Sequence, residues 1–229
     1  MSDKKKKNQG DVEMQNVQEA LSKSEAFIET YRKELLYGVG AVVILVLAVL
    51  AFRTYYLVPR EAEAQEKMIF CVNNFERDSF RLALRGDDMN DGFETIVDDY
   101  KFTDAAELAA AYAGVCAYQL GEYEEAIDYL DKFDARSVNM TPATICLKGD
   151  AYVELGDYKS AIKEFLRAAD TQNDLVAPRS LKKAGLAYEA LGEYDKAVDV
   201  YTEIKDTYFS SMEAGDIDKY IERAKALDK

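Results

Sequence analysis

The chain predicts an all-α fold: a solenoid of stacked helical hairpins preceded by one transmembrane helix. Three observations carry this expectation. Residues 35–52 hold no charge and no Pro. Beyond Thr103, several residues recur together at steps of 35 and 36. The composition is rich in Ala, Leu, Glu and Lys, with three Pro and twelve Gly, which suits helices and leaves few turn residues for a β fold.

The first element is a tail, residues 1–34. Its start, MSDKKKKNQGD, is basic and has the composition of a disordered segment. Val17, Leu21, Ser24, Ile28, Tyr31 and Leu35 then recur at alternating steps of four and three, the stripe of a short amphipathic helix. The next element, residues 35–57, is a candidate membrane span. Twelve of its first eighteen residues are Leu, Ile, Val or Phe, each favouring insertion by roughly 0.3–0.6 kcal/mol near a bilayer centre. They leave no polar stripe, unlike those of an amphipathic core helix. The segment before the span is long, the apolar run exceeds a signal-peptide core, and Ala48 and Ala51 are not spaced as A-x-A, so an uncleaved anchor is expected. Lys4, Lys5, Lys6, Lys7, Lys23, Arg32 and Lys33 precede it, whereas only Arg53, Arg60 and Lys67 closely follow. The positive-inside rule then places the N-terminus in the cytoplasm and the larger C-terminal part outside it. Tyr31, Tyr37, Tyr55 and Tyr56 suit the two membrane interfaces.

Residues 1–59 hold eight basic and seven acidic side chains, so the part after the span carries a net charge of −15 against −14 for the whole chain. An acidic domain of that kind repels phosphate backbones, so nucleic acid is not an expected partner. Cys71, Cys116 and Cys146 match no zinc or thioredoxin spacing and read as buried thiols. Without His there is no Ser-His-Asp or Cys-His arrangement, and no phosphate-binding Gly-rich motif occurs. The acidic loop DDMNDG lacks the closing Glu of a calcium loop; Asp99 stands there. No enzyme activity, metal or cofactor is expected.

Residues 60–102 read as a leading helical unit, with Met68, Val72, Phe75 and Leu82 on a shared face, a break at RGDDMNDG, and a short helix around residues 93–100. Pro59 either ends the span or opens the next helix. Residues 103–210 hold the repeats. Gly114, Gly149 and Gly185 are spaced 35 and 36, as are Gly121, Gly156 and Gly192, Tyr123, Tyr158 and Tyr194, and Ala126, Ala161 and Ala197. Pro142 and Pro178 lie 36 apart at expected helix starts, with Thr141 as the N-cap of the first. A mid-helix Gly costs about 1 kcal/mol against Ala, so Gly149 implies a close helix approach, here expected opposite Ala161. Gly156 suits a helix end needing positive φ. Ile162 and Phe165 are expected to face the next unit. Residues 211–229 read as a helix closing the stack with a charged outer face.

This pattern resembles the tetratricopeptide repeat. Its signature runs Gly149, Tyr152, Gly156, Tyr158, Ala161 and Phe165 in the second unit, and Gly185, Tyr188, Gly192, Tyr194, Ala197 and Tyr201 in the third. The first unit departs, with Tyr118 one place late and Leu130 in place of the aromatic. The resemblance implies a protein-binding scaffold whose first helices line a concave groove. In that register the groove residues are Val115, Tyr118, Asp150, Val153, Glu154, Lys182, Leu186 and Glu189. Val115, Asp150 and Leu186 stand where a carboxylate-clamp repeat has Asn, so a clamp is not expected; the groove mixes apolar and acidic residues, which suits basic or mixed segments. The layout of basic tail, single span and repeats is similar to the ancillary subunit of the bacterial Sec translocon and to envelope repeat proteins. That similarity implies an inner (plasma) membrane protein with a periplasmic domain that assists translocation, folding or envelope assembly. The alternative is a structural subunit that self-assembles into a homo-oligomer and binds no client.

Overall fold

The computed structural model describes residues 29–134 and 140–228. The basic start of the tail and the stripe from Val17 to Ile28 lie outside the described residues. The chain divides into two compact units between Tyr56 and Leu57, each considered alone.

In the first unit, α1 (Arg32–Phe52) is followed by a π-helical turn, Arg53–Leu57. The large apolar side chains of α1 are exposed all round: Leu36 is 65%, Ile44 69% and Val49 59% exposed. A helix with no polar stripe and no covered face is what a membrane span needs. Among the described residues, the helical stretch Leu36–Phe75 is the one long and apolar enough to cross a bilayer.

The second unit is built of helices throughout. They are α2 (Val58–Phe75), α3 (Phe80–Arg85), α4 (Phe93–Asp99), α5 (Asp104–Gln119) and α6 (Tyr123–Leu130). Next come α7 (Met140–Glu154), α8 (Tyr158–Ala169), α9 (Ala177–Ala190) and α10 (Tyr194–Thr207), then a 3-10 turn (Glu213–Asp216) and α11 (Ile217–Leu227). Pro59 sits in the first turn of α2, directly after the π-helical turn. The loop from Gly86 to Asp91 is closed by a single bridge between those residues. Asp87 Oδ1 accepts from the Met89 and Asn90 amides, so its charge serves the loop's own backbone.

Pairs α5–α6, α7–α8 and α9–α10 are antiparallel hairpins, and each packs on the next. Two kinds of glycine shape them. Gly121, Gly156 and Gly192 follow the first helix of each pair with φ of +77°, +76° and +74°, the left-handed conformation that reverses the chain. Gly114, Gly149 and Gly185 are helical and are required by space. A Cβ on Gly149 would lie 2.5 Å from the Phe165 ring, and one on Gly185 only 2.2 Å from the Tyr201 ring. The close approach expected opposite Ala161 is thus filled by Phe165. Its ring packs on the first helix of its own hairpin, while also joining a cluster with Ala184 of the following one. In the first hairpin Leu130 takes this place against Gly114. Thr141 is not the N-cap of α7: it and Pro142 lie inside the helix. Beyond α10, Ile217, Ile221 and Ala224 bury one face of α11, leaving Asp218, Lys219 and Glu222 outside.

Arg85 ties the leading helices to the first hairpin. Its guanidinium meets Glu94 at 2.8 Å, Glu122 at 3.1 Å and Glu125 at 2.6 Å. The Arg85 hydrogen bond is the main cause holding the Glu125 carboxyl below its ordinary 4.5. A depressed carboxyl stabilises the fold above its unfolded pKa, and that contribution is lost as pH falls through the folded value. Arg85→Gln is therefore expected to cost about 1 kcal/mol at pH 7, the scale of partly exposed ion pairs. The gap to the wild type should narrow below pH 4.5, as read from urea midpoints across pH.

Candidate functional site

The first helices of the hairpins, α5, α7 and α9, line a cavity of about 520 Å³. Tyr112 and Val115 come from α5, Ala143, Leu147 and Asp150 from α7, and Arg179 and Lys183 from α9, with Phe75 of α2 at one end. Most of this wall is apolar. Its aromatic end is held by Tyr112, whose ring stacks on Phe93 at 5.2 Å and meets Phe75 edge-on at 5.0 Å. Such packing fixes the wall without filling the cavity.

The polar part is formed by two cations, each in an ion pair. Lys183 Nζ donates to both Asp150 oxygens, at 2.8 and 2.6 Å. Burial pushes the Asp150 carboxyl up despite Lys183, which pulls the other way. Arg179 stands at the rim, 3.7 Å from Glu213. Each cation at the cavity thus has a carboxylate partner, Lys183 with Asp150 and Arg179 with Glu213.

The eight residues expected in the groove divide. Val115 and Asp150 line the cavity. Tyr118 lies just beyond it: burial raises its phenol, and the charges of Asp150 and Glu154 add to the shift. Glu154 is exposed, and Val153 packs into the buried cluster of Cys146 and Phe165. Leu186 is 42% exposed. Lys182 pairs with Asp216 at 2.8 Å, and its ammonium lies 4.3 Å over the Tyr220 ring. Glu189 accepts from the Tyr201 hydroxyl and from Arg223, both at 2.8 Å. Lys182 and Glu189 thus bind the terminal segment, because the 3-10 turn and α11 cover that side of α9. Arg179, Lys183, Tyr112 and Leu147 were not singled out from the sequence. Their signal was helical phase: Lys183 follows Lys182 but points roughly 100° away around the helix.

The three thiols are buried and free. Desolvation pushes Cys71 and Cys116 up to about 12, and Cys146, which lines the cavity, is also raised. Thiols held protonated in this way are poor nucleophiles. Among the described residues, no cluster of His, Cys, Asp and Glu is arranged to hold a metal ion.

Residues 93–138 and 146–208 match the family model of the tetratricopeptide repeat. No curated protein matches the chain. Seventeen chains of solved structures do. One of them, the crystal structure of MamA protein, has a TM-score of 0.57 at 19% identity, covering 72% of this chain and 84% of that one. At that identity the likeness concerns the fold. The repeating glycine, tyrosine and alanine positions of the hairpin stack all fall within the residues that match the tetratricopeptide repeat model.

Proposed function

We propose that the chain is a membrane-anchored scaffold that holds a polypeptide segment in the groove of α5, α7 and α9. The observation that carries this reading is the largely apolar cavity at that groove, crossed by the Lys183–Asp150 pair and edged by Arg179. An extended segment would bury apolar side chains against Tyr112, Val115 and Leu147. The paired charges at the groove suit a segment of mixed charge, one of the two kinds expected from sequence. Residues 35–57 form the anchor, with residues 1–34 in the cytoplasm and the repeats of residues 103–210 outside it. Residues 60–102 serve as a leading unit and residues 211–229 close the stack. A place beside the translocon or in envelope assembly accords with this layout, and its clients would be exported polypeptides.

Two experiments test it. A C-terminal alkaline phosphatase fusion should be active; an inactive fusion places the repeats in the cytoplasm. Ala143→Trp fills the exposed mouth of the cavity, whereas Lys159→Trp on α8 does not line it. Polypeptides copurifying from membranes should be lost with Ala143→Trp and kept with Lys159→Trp. Recovery of only the chain itself, in both, supports the structural subunit.

A further inference from the structure

The exposed Phe102 stands on a loop bound to the first turn of α2, the helix that follows the apolar span along the chain. The span ends at Leu57, and Arg60 is three residues on, about 5 Å of helical rise. Arg60 donates to the Asp99 carbonyl, and its guanidinium lies 4.9 Å over the Tyr100 ring. Glu61 accepts from the Ala105 amide at 3.1 Å. The loop between α4 and α5 is therefore bound to the first turn of α2. The two helices run the same way, since Phe75 at the end of α2 meets Tyr112 further along α5.

At the tip of that loop stands Phe102, 82% exposed, with a φ of +72°. Left-handed backbone is unfavourable for a bulky side chain, and exposing a ring of this size to water adds to the cost. The loop is nevertheless firmly held: Thr103 caps α5 by accepting from the Ala106 amide, and its own hydroxyl donates to the Tyr100 carbonyl. The strained backbone thus displays the ring at a fixed place.

We propose that Phe102 is an interfacial membrane contact, the ring resting among the lipid headgroups with the neighbouring Lys101 directed to their phosphates. The inference rests on the anchor reading above, because continuity with the span is what selects lipid as the occupant. Charge sets the depth. Asp98 is offset by Lys132 at 3.6 Å, but Asp99 and Asp104 flank the loop and oppose entry beyond the headgroup zone.

The absence of Trp from the chain makes the test direct. Single-Trp variants Val46→Trp, Phe102→Trp and Leu155→Trp of the full chain are placed in phosphatidylcholine–phosphatidylglycerol vesicles, with bromine at chosen depths in the acyl chains. Leu155 lies in the α7–α8 turn, at the other end of the hairpins. Helix content matching the wild type confirms each fold. Val46→Trp should be quenched by deep bromines, and Phe102→Trp only by the shallowest, with emission blue of Leu155→Trp. Unquenched emission from Phe102→Trp, with Val46→Trp still quenched, overturns the contact alone. A blue shift without quenching also overturns it, in favour of a protein neighbour. Failure to quench Val46→Trp overturns the anchor, and the contact with it.

Discussion

Phe165→Ala should destabilise the stack by about 4 kcal/mol, as expected for deleting a fully buried ring. Phe165 is 1% exposed and fills the space against Gly149. Gly149→Ala should cost about 2 kcal/mol by overpacking, even though Ala gains about 1 kcal/mol in helix propensity. The informative experiment combines them. With the ring gone, the added methyl meets no neighbour, so the double variant should be no less stable than Phe165→Ala alone. A coupling of about 2 kcal/mol between the sites, measured by urea denaturation of the chain in detergent, would show that Gly149 exists to seat Phe165. Additive effects would mean that the glycine serves another purpose.

Lys148→Met should cost about 3 kcal/mol. Lys148 is 8% exposed and lies 3.6 Å from Glu164, which is 5% exposed, and it donates to Asp131 beyond the first hairpin. Burial pushes the ammonium down, but Asp131 and Glu164 outweigh it, so Lys148 stays charged. Replacing it leaves Glu164 buried with Arg167 alone, at 3.0 Å. Replacing both, as Lys148→Met with Glu164→Leu, removes the stranded charge and should recover most of the loss. If the single variant costs nothing, water is reaching Glu164 and the buried-pair account fails.

The stack was legible in the chain because each hairpin solves the same packing problem with the same residues. Gly156 and its equivalents announce the turns, and Gly149 and Gly185 announce a close approach. What lay opposite them was harder to read. Phe165 is sixteen residues from Gly149, and their meeting depends on how the two helices cross, which no local spacing specifies. Thr141 looked like a cap because it precedes Pro142, yet a helix may start before a Pro as well as at it; α7 includes Met140 and Thr141.

The groove was legible only in outline. The register located Val115 and Asp150 on the cavity wall. It did not show that α11 would draw Lys182 and Glu189 into its own ion pairs, since that depends on how the chain returns after α10. Nor did it show that Lys183 would neutralise Asp150. The expectation of basic or mixed segments followed from the apolar and acidic residues along the helices. The cavity wall also carries Arg179 and Lys183, each paired with a carboxylate.

The most direct measurement of the central claim is photocrosslinking in intact membranes from a residue inside the cavity. A photoreactive side chain at Leu147 faces the cavity, and one at Lys159 on α8 lies outside it. The account predicts that Leu147 captures polypeptides other than this chain, that Lys159 does not, and that Ala143→Trp abolishes the capture. Equal capture from both positions, or capture of this chain alone, would contradict it.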